Sequence, residues 1–170
     1  MPTYSTITDS PIGALLLTGD GAAITGVFMA PHDPALVAGT VRDDGTFREA
    51  LDQLAAYFAG ERTDFDLPLA PRGTGWQRRV WAALLTIPYG QTASYGELAA
   101  TLGNPSSSRA VGLANGRNPI AVVIPCHRVI GANGSLTGYG GGLDRKRWLL
   151  DHERSVLGSA GATAATAGLW

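Results

Sequence analysis

Three short apolar stretches, residues 4–8, 14–18 and 23–29, are separated by the turn-forming runs Asp9-Ser10-Pro11-Ile12-Gly13 and Gly19-Asp20-Gly21. Short apolar runs punctuated by glycine, proline and aspartate predict a strand meander, because these turn residues accept the backbone angles that a reversal needs. Residues 31–45 follow neither period and read as a loop. The period then changes. Phe47, Ala50, Leu51, Leu54, Ala55 and Phe58 recur at helical spacing, which predicts one buried helix face, ended by Gly60. Residues 64–69 predict one more strand, and Pro71-Arg72-Gly73-Thr74-Gly75 a linker.

Beyond the linker the helical period dominates. Val80, Trp81, Leu84 and Leu85 make an apolar stripe along residues 76–87, stopped by Pro88-Tyr89-Gly90. Ser94 followed by Glu97 is a capping-box pair, each side chain satisfying a free N–H of the first turn, and it opens a short helix through Leu98 and Ala99 to Leu102. Gly103 closes that helix. Asn104-Pro105 then predicts the N-cap and first-turn proline of a second helix, rich in small residues and ending near Asn115-Gly116. Two short helices joined by a tight turn fit a helix-turn-helix, an arrangement that by itself touches DNA only in a minority of cases. Asp144 predicts the cap of a last helix carrying Trp148, Leu149 and His152, and residues 158–170, mostly Ala, Gly, Thr and Ser, predict a disordered tail. The expected fold class is α+β, with residues 1–72 a small sheet domain with a helix and residues 76–157 a mostly α domain containing the helix-turn-helix.

Between the helix pair and the last helix lies Ile120-Ala121-Val122-Val123-Ile124-Pro125-Cys126-His127-Arg128-Val129-Ile130, with the only cysteine of the chain. Its flanking runs are β-branched and short enough for buried strand, so Pro125 breaks the ladder where Cys126 emerges, and a nucleophile at a strand end is rigidly held. A lone cysteine in an apolar run is more often an inert core residue. The neighbours of Cys126 point the other way: His127 and Arg128 favour thiolate over thiol, and thiolate is the form that attacks carbon or binds metal. The glycine-rich run 138–142 surrounds Tyr139 and lacks the strand and helix flanks of a nucleotide-binding loop.

Charge separates the halves. Residues 1–70 carry three arginines against ten acids, a balance of −7, and residues 71–170 carry ten basic residues against four acids, a balance of +6, so the total of −1 conceals both. The basic half suits a phosphate backbone and the acidic half does not. One cysteine permits no internal disulfide and no multi-cysteine zinc site. No apolar run approaches the span of a membrane and Met1-Pro2-Thr3-Tyr4 has no signal-peptide pattern, so the expectation is a cytoplasmic protein without membrane contact.

Pro125-Cys126-His127-Arg128 is accompanied by Ser94-Tyr95-Gly96-Glu97-Leu98-Ala99, Asn104-Pro105, Arg109-Ala110-Val111-Gly112, Asn118-Pro119, Gly138-Tyr139-Gly140-Gly141-Gly142 and His152-Glu153. In this order the motifs resemble the O6-alkylguanine-DNA alkyltransferase family, densely from Trp76 to Glu153 and loosely before it. The resemblance implies a ribonuclease-H-like N-terminal domain and a protein that repairs double-stranded alkylated DNA by moving the alkyl group of O6-alkylguanine, with O4-alkylthymine as a second substrate, onto Cys126. Cys126 would lose its proton through His127 by way of a water, because adjacent residues in an extended segment point apart, and the resemblance implies that Glu153 orients His127, that Asn118 braces the thiol region and that Tyr95 donates to the departing base. It places the second helix of the pair in the minor groove, with Arg109 filling the gap left by an extruded base, Tyr95, Gly96 and Asn104 on the DNA side, and Tyr139, Gly140 and Val129 around the flipped base. The product is a thioether that no residue here cleaves, so the protein should act once. No cofactor and no metal are expected, since zinc-bearing relatives hold the ion with N-terminal cysteines and histidines and this half offers only His32. The protein is expected to be a monomer in solution, with clustering on DNA left open.

Two readings from other classes stand beside this one. A lesion-binding module needs the helix pair and Arg109 but not Cys126. A cysteine hydrolase needs Cys126, His127 and Glu153 but neither the helix pair nor the basic half. Intact mass after exposure to substrate separates the three, because the binder gains nothing, the hydrolase turns over and the alkyltransferase keeps one alkyl group.

Overall fold

A computed structural model describes residues 2–136 and 139–168, with side chains described as far as Ser159. Strands β1 (Tyr4–Thr8), β2 (Leu15–Gly19) and β3 (Ile24–Met29) form the expected antiparallel meander, with Thr8 opposite Leu15 and Leu15 opposite Met29. Leu15, Leu16 and Leu17 are all buried, which explains an unbroken apolar run in a strand covered on both faces. The stretch expected as loop contains a two-residue strand, β4 (Val41–Arg42), parallel to β1, and the sheet order becomes β3-β2-β1-β4. Helix α1 (Arg48–Phe58) follows and sends Ala50, Leu54 and Tyr57 into the core. Residues 64–69 do not form the expected strand. A single bridge from Ile24 to Leu69 ties them to β3, and the Gln53 amide takes the place of a neighbouring strand, donating to the Asp66 carbonyl at 3.0 Å and accepting from its N–H at 2.9 Å.

Helix α2 (Gly75–Leu84) starts at Thr74, which forms a reciprocal capping box with Gln77. Helix α3 (Tyr95–Thr101) has the expected Ser94 and Glu97 box, and Gly103 with φ of 80° turns the chain out of it. Helix α4 (Ser108–Gly116) begins later than Asn104-Pro105 suggests. The Asn104 carbonyl accepts from both the N–H and the hydroxyl of Ser107, so this serine-rich stretch closes a turn before the helix can start. Buried Trp81 donates its indole N–H to the Ala114 carbonyl at 2.8 Å and so locks α2 against the end of α4.

The strand expected at 120–124 is a turn instead. Val27 donates to the Pro119 carbonyl at 2.9 Å and accepts from Ala121 at 3.1 Å, which joins β3 to the chain just ahead of the cysteine. The backbone then reverses through Val122 at φ 69°, rare for a β-branched residue, and Cys126–Arg128 is one turn of 3-10 helix. Only β6 (Val129–Ile130) is strand, paired in parallel with β5 (Ala93–Ser94). Helix α5 (Leu143–Gly168) runs on through residues 158–168, where a disordered tail was expected; alanine, the best helix former, sustains it where composition alone suggested disorder. Leu169 and Trp170 lie outside the described residues, as does Gly138 of the glycine-rich run. A continuous core joins the two halves through residues such as Leu17, Tyr57, Trp81, Ile124 and Leu149. Among the described residues no helix is long and apolar enough to cross a membrane.

Candidate active site

Lys146, Leu149, Leu150 and Glu153 recur at three- and four-residue intervals along α5 and are all buried, so two charged residues occupy a face that would otherwise be aliphatic. Around the Glu153 carboxylate the two halves of the chain meet. Its Oε2 accepts from the Tyr57 hydroxyl at 2.6 Å, His127 Nε2 at 2.7 Å and Arg128 Nη2 at 3.0 Å; Oε1 accepts from Arg128 Nε at 2.8 Å and the Gly90 N–H at 3.2 Å. Gly90 makes this contact with φ at 76°, a conformation that favours glycine. An ionised carboxylate only accepts, so His127 presents Nε2–H to it and keeps Nδ1 as the basic edge of the ring. That Nδ1 is buried and has no hydrogen-bond partner among the described residues.

Arg128 does not act on the sulfur as its sequence neighbourhood suggests. Its guanidinium faces Glu153, donates through Nη1 to the Ile87 carbonyl at 2.8 Å and lies over the Tyr89 ring at 5.6 Å. Burial pushes His127 below its ordinary pKa, against the pull of Glu153. Burial by itself would raise Glu153, but hydrogen bonds from His127 and Arg128 outweigh it and hold the carboxyl well below the usual range. Both shifts act on stability with one sign. The folded state resists a proton on His127 that the unfolded chain takes up near its ordinary 6.5, and resists one on Glu153 that the unfolded chain takes up near 4.5. The unfolded chain therefore binds more protons, and stability present above these values is lost as pH falls through them. Urea midpoints are expected to decline between about pH 7.5 and pH 4; a midpoint that held or rose on acidification would contradict a buried neutral imidazole beside a buried carboxylate.

Cys126 is only 6% exposed. Burial pushes its thiol up, opposed by a hydrogen bond with Asn118, by the charge of Lys146 and by the Tyr139 hydroxyl. The resting group is thus a thiol surrounded by partners that favour the thiolate, not a standing thiolate. Asn118 also donates through Nδ2 to the Ile124 carbonyl at 2.8 Å and accepts at Oδ1 from the Ile120 N–H at 3.0 Å, so one amide pins the Val122 turn and touches the sulfur. Lys146 is fully buried, and burial lowers its own pKa while Cys126 draws it back up. No motif points to Lys146 or Tyr57. The available signal was a lysine in register with Leu149 and Leu150, and a tyrosine three residues after Leu54, each on a stripe that the fold buries.

A cleft of about 430 Å³ opens onto Cys126, within the range of small-molecule sites. Asn118, Tyr139 and Gly140 line it from the C-terminal half, while Met29, Pro31 and Leu36 supply a wall from the N-terminal half that carries no recognisable motif. Arg145 fastens the two, donating to the Ala30 carbonyl at 2.6 Å and the Gly141 carbonyl at 3.4 Å. Val129 does not line the cleft as expected; its side chain is fully buried in the core beneath the β5 and β6 pairing. Tyr95 is half-buried at the start of α3, near Gly112, and Gly96, Asn104 and Arg109 are exposed on the helix pair; none of the four lines the cleft. Among the described residues no three His, Cys, Asp or Glu side chains gather where they could hold a metal.

This geometry has relatives. A family model for the ribonuclease-like domain of 6-O-methylguanine DNA methyltransferase matches residues 3–71, and the model for the DNA binding domain of the same proteins matches residues 75–155. The chain belongs to the 6-O-methylguanine DNA methyltransferase family. The methylated-DNA–protein-cysteine methyltransferase of Mycobacterium tuberculosis is 59% identical over 154 residues, spanning 89% of this chain and 92% of that protein. That of Methanosarcina acetivorans is 56% identical over 154 residues, spanning 89% and 99%. Among solved structures, Mycobacterium tuberculosis OGT in complex with DNA superposes with a TM-score of 0.85 at 56% identity, covering 90% of this chain and 94% of that one. The mixed sheet domain with helices followed by a mostly α-helical domain is the fold of this methyltransferase family.

Proposed function

We propose that this protein repairs DNA directly, moving the alkyl group from O6 of an alkylated guanine onto Cys126 Sγ once per molecule. The observation that carries the reading is a sole cysteine, buried at the wall of a cleft and followed by a histidine whose Nε2 is held by Glu153. The thiol proton passes by way of a water to His127 Nδ1 while Nε2–H stays on Glu153. Sγ then attacks the alkyl carbon in line with the C–O bond; the C–S bond forms as the C–O bond breaks, the electron pair leaves with the guanine, and the guanine takes up a proton from solvent while His127 returns its own to solvent. Asn118 and Lys146 act on the sulfur beforehand, offsetting the cost of forming an anion in a site with little water. The resemblance assigns to Tyr95, which lies at the start of α3 beside Gly112 and outside the cleft lining, the donation to a ring nitrogen of the departing base. O4-alkylthymine presents the same kind of O–alkyl bond and serves as a second substrate. The thioether that remains on Cys126 ends the life of the molecule as a catalyst.

The duplex is engaged by the basic half of a monomer in a reducing cytoplasm, with α4 in the minor groove and Arg109 in the gap left by the extruded nucleotide. The Mycobacterium tuberculosis relative solved in complex with DNA supports DNA as the partner. Arg109→Ala is expected to lower the ratio of duplex repair to reaction with free O6-methylguanine by about tenfold or more, because only the duplex needs the gap filled. Equal losses on both substrates would sink the role of Arg109.

Intact mass tests the whole reading. Incubation with excess O6-methylguanine duplex is expected to add one methyl group to the Cys126 peptide and to stop at one equivalent. Continued turnover without mass gain would make this a hydrolase, and tight lesion binding without mass gain a recognition module.

A further inference from the structure

The outward face of α4 is formed by Ser106 just ahead of the helix, then Arg109, Ala110, Leu113 and Arg117, all exposed, while Val111, Ala114 and Asn115 face the core. Leu113 is the only large apolar side chain on that face. It is 66% exposed, more than any other large hydrophobic among the described residues, and so contributes little to folding. A single exposed leucine is ordinary on a protein surface. This one stands four residues beyond Arg109 on the same helix face, flanked by exposed Ala110 and Gly116, which are small enough to let the backbone come close to a partner.

We propose that Leu113 is a second inserted side chain, an apolar wedge that enters the minor groove one helical turn beyond Arg109 and unstacks a base step about two steps from the extruded nucleotide. The proposal rests on the reading above that α4 lies in that groove. Four residues of helix advance about 6 Å, and stacked bases lie about 3.4 Å apart, so Leu113 reaches the neighbourhood of the second step from the one Arg109 fills. Apolar wedges are the side chains with which minor-groove proteins part a base step, and the bend they produce brings more of the duplex against the protein. An aliphatic side chain neutralises no phosphate, so its contribution carries no counterion release. Arg117, exposed on the same face beyond it, supplies positive charge there instead.

The test compares Leu113→Ala, Leu113→Met and Arg109→Ala on duplexes with O6-methylguanine and a 2-aminopurine two steps away, alongside free O6-methylguanine. Leu113→Ala is expected to lower the ratio of duplex to free-base reaction about tenfold and to abolish the fluorescence rise that unstacking of 2-aminopurine produces. The slope of log affinity against log salt should stay as in the wild type, and Leu113→Met, which keeps apolar reach, should restore both signals. A Leu113→Ala protein with an unchanged ratio and unchanged fluorescence overturns the wedge, and so does a loss equal on duplex and free base. If Arg109→Ala lowers the ratio while Leu113→Ala does not, the wedge alone is wrong; if neither variant affects duplex repair, the docking of α4 itself is wrong.

Discussion

Replacing Glu153 with alanine is expected to cost repair and stability together: alkyl transfer falls by about a thousandfold, and unfolding free energy by about 3–5 kcal/mol. The carboxylate is completely buried and is the anion for Arg128, the orienter for His127 and the acceptor for Tyr57 and the Gly90 N–H. Removing it leaves a guanidinium in a dry interior without its counter-charge and a tyrosine hydroxyl without its acceptor, the kind of loss that far exceeds the net worth of the ion pair itself. It also frees the imidazole to rotate, so Nδ1 is no longer fixed as the basic edge of the ring. Urea unfolding followed by transfer rates at a denaturant-free temperature where the variant is folded separates the two effects. A folded variant that still alkylates Cys126 at the wild-type rate would remove Glu153 from the relay and leave it only a structural anchor.

Cys126→Ser is expected to accept no alkyl group at all while still binding lesion-bearing duplex. Serine is close to cysteine in size, so the cleft walls and the exposed face of α4 remain, and the stability change should stay within about 1 kcal/mol. The hydroxyl, however, is a far weaker acid than a thiol, and one histidine and one lysine cannot make an alkoxide abundant enough to displace a purine. Mass spectrometry reads the first outcome and fluorescence anisotropy with a labelled O6-methylguanine duplex the second. A mass gain in the serine variant would mean that another side chain is the acceptor. Loss of binding would mean that the cysteine holds the cleft in shape.

Elements with a clear period or a cap of their own were legible in advance. β1 to β3, α1 and α3 lie where turn residues, apolar spacing and the Ser94 box place them, because these signals are local. β4 escaped because two residues have no period, and 120–124 was misread because its apolar character reflects burial between the two halves and not membership of a ladder. At the site, Cys126, His127, Asn118 and Glu153 come together through short-range motifs and one helix register. Arg128 could not be aimed from sequence: in a 3-10 turn, adjacency to Cys126 says nothing of where a long side chain goes. Lys146 reads as a solvated helix charge until the fold buries its face, and the Met29 to Leu36 wall has no chemistry to announce it.

The sharing of the Glu153 carboxylate by positions 57, 90, 127 and 128 also bears on how such a chain can evolve. Substitution costs at contacting positions do not add; here loss of Glu153 strands buried donors on Tyr57, His127 and Arg128, and loss of Arg128 leaves the buried carboxylate without its counter-charge. Arg128 and Glu153 can be lost at small cost in stability only as a pair, and that exchange discards the orienter of His127 with it. Tyr57 extends the constraint across the linker, so a domain that holds no reacting atom is bound by the substitution limits of the one that does.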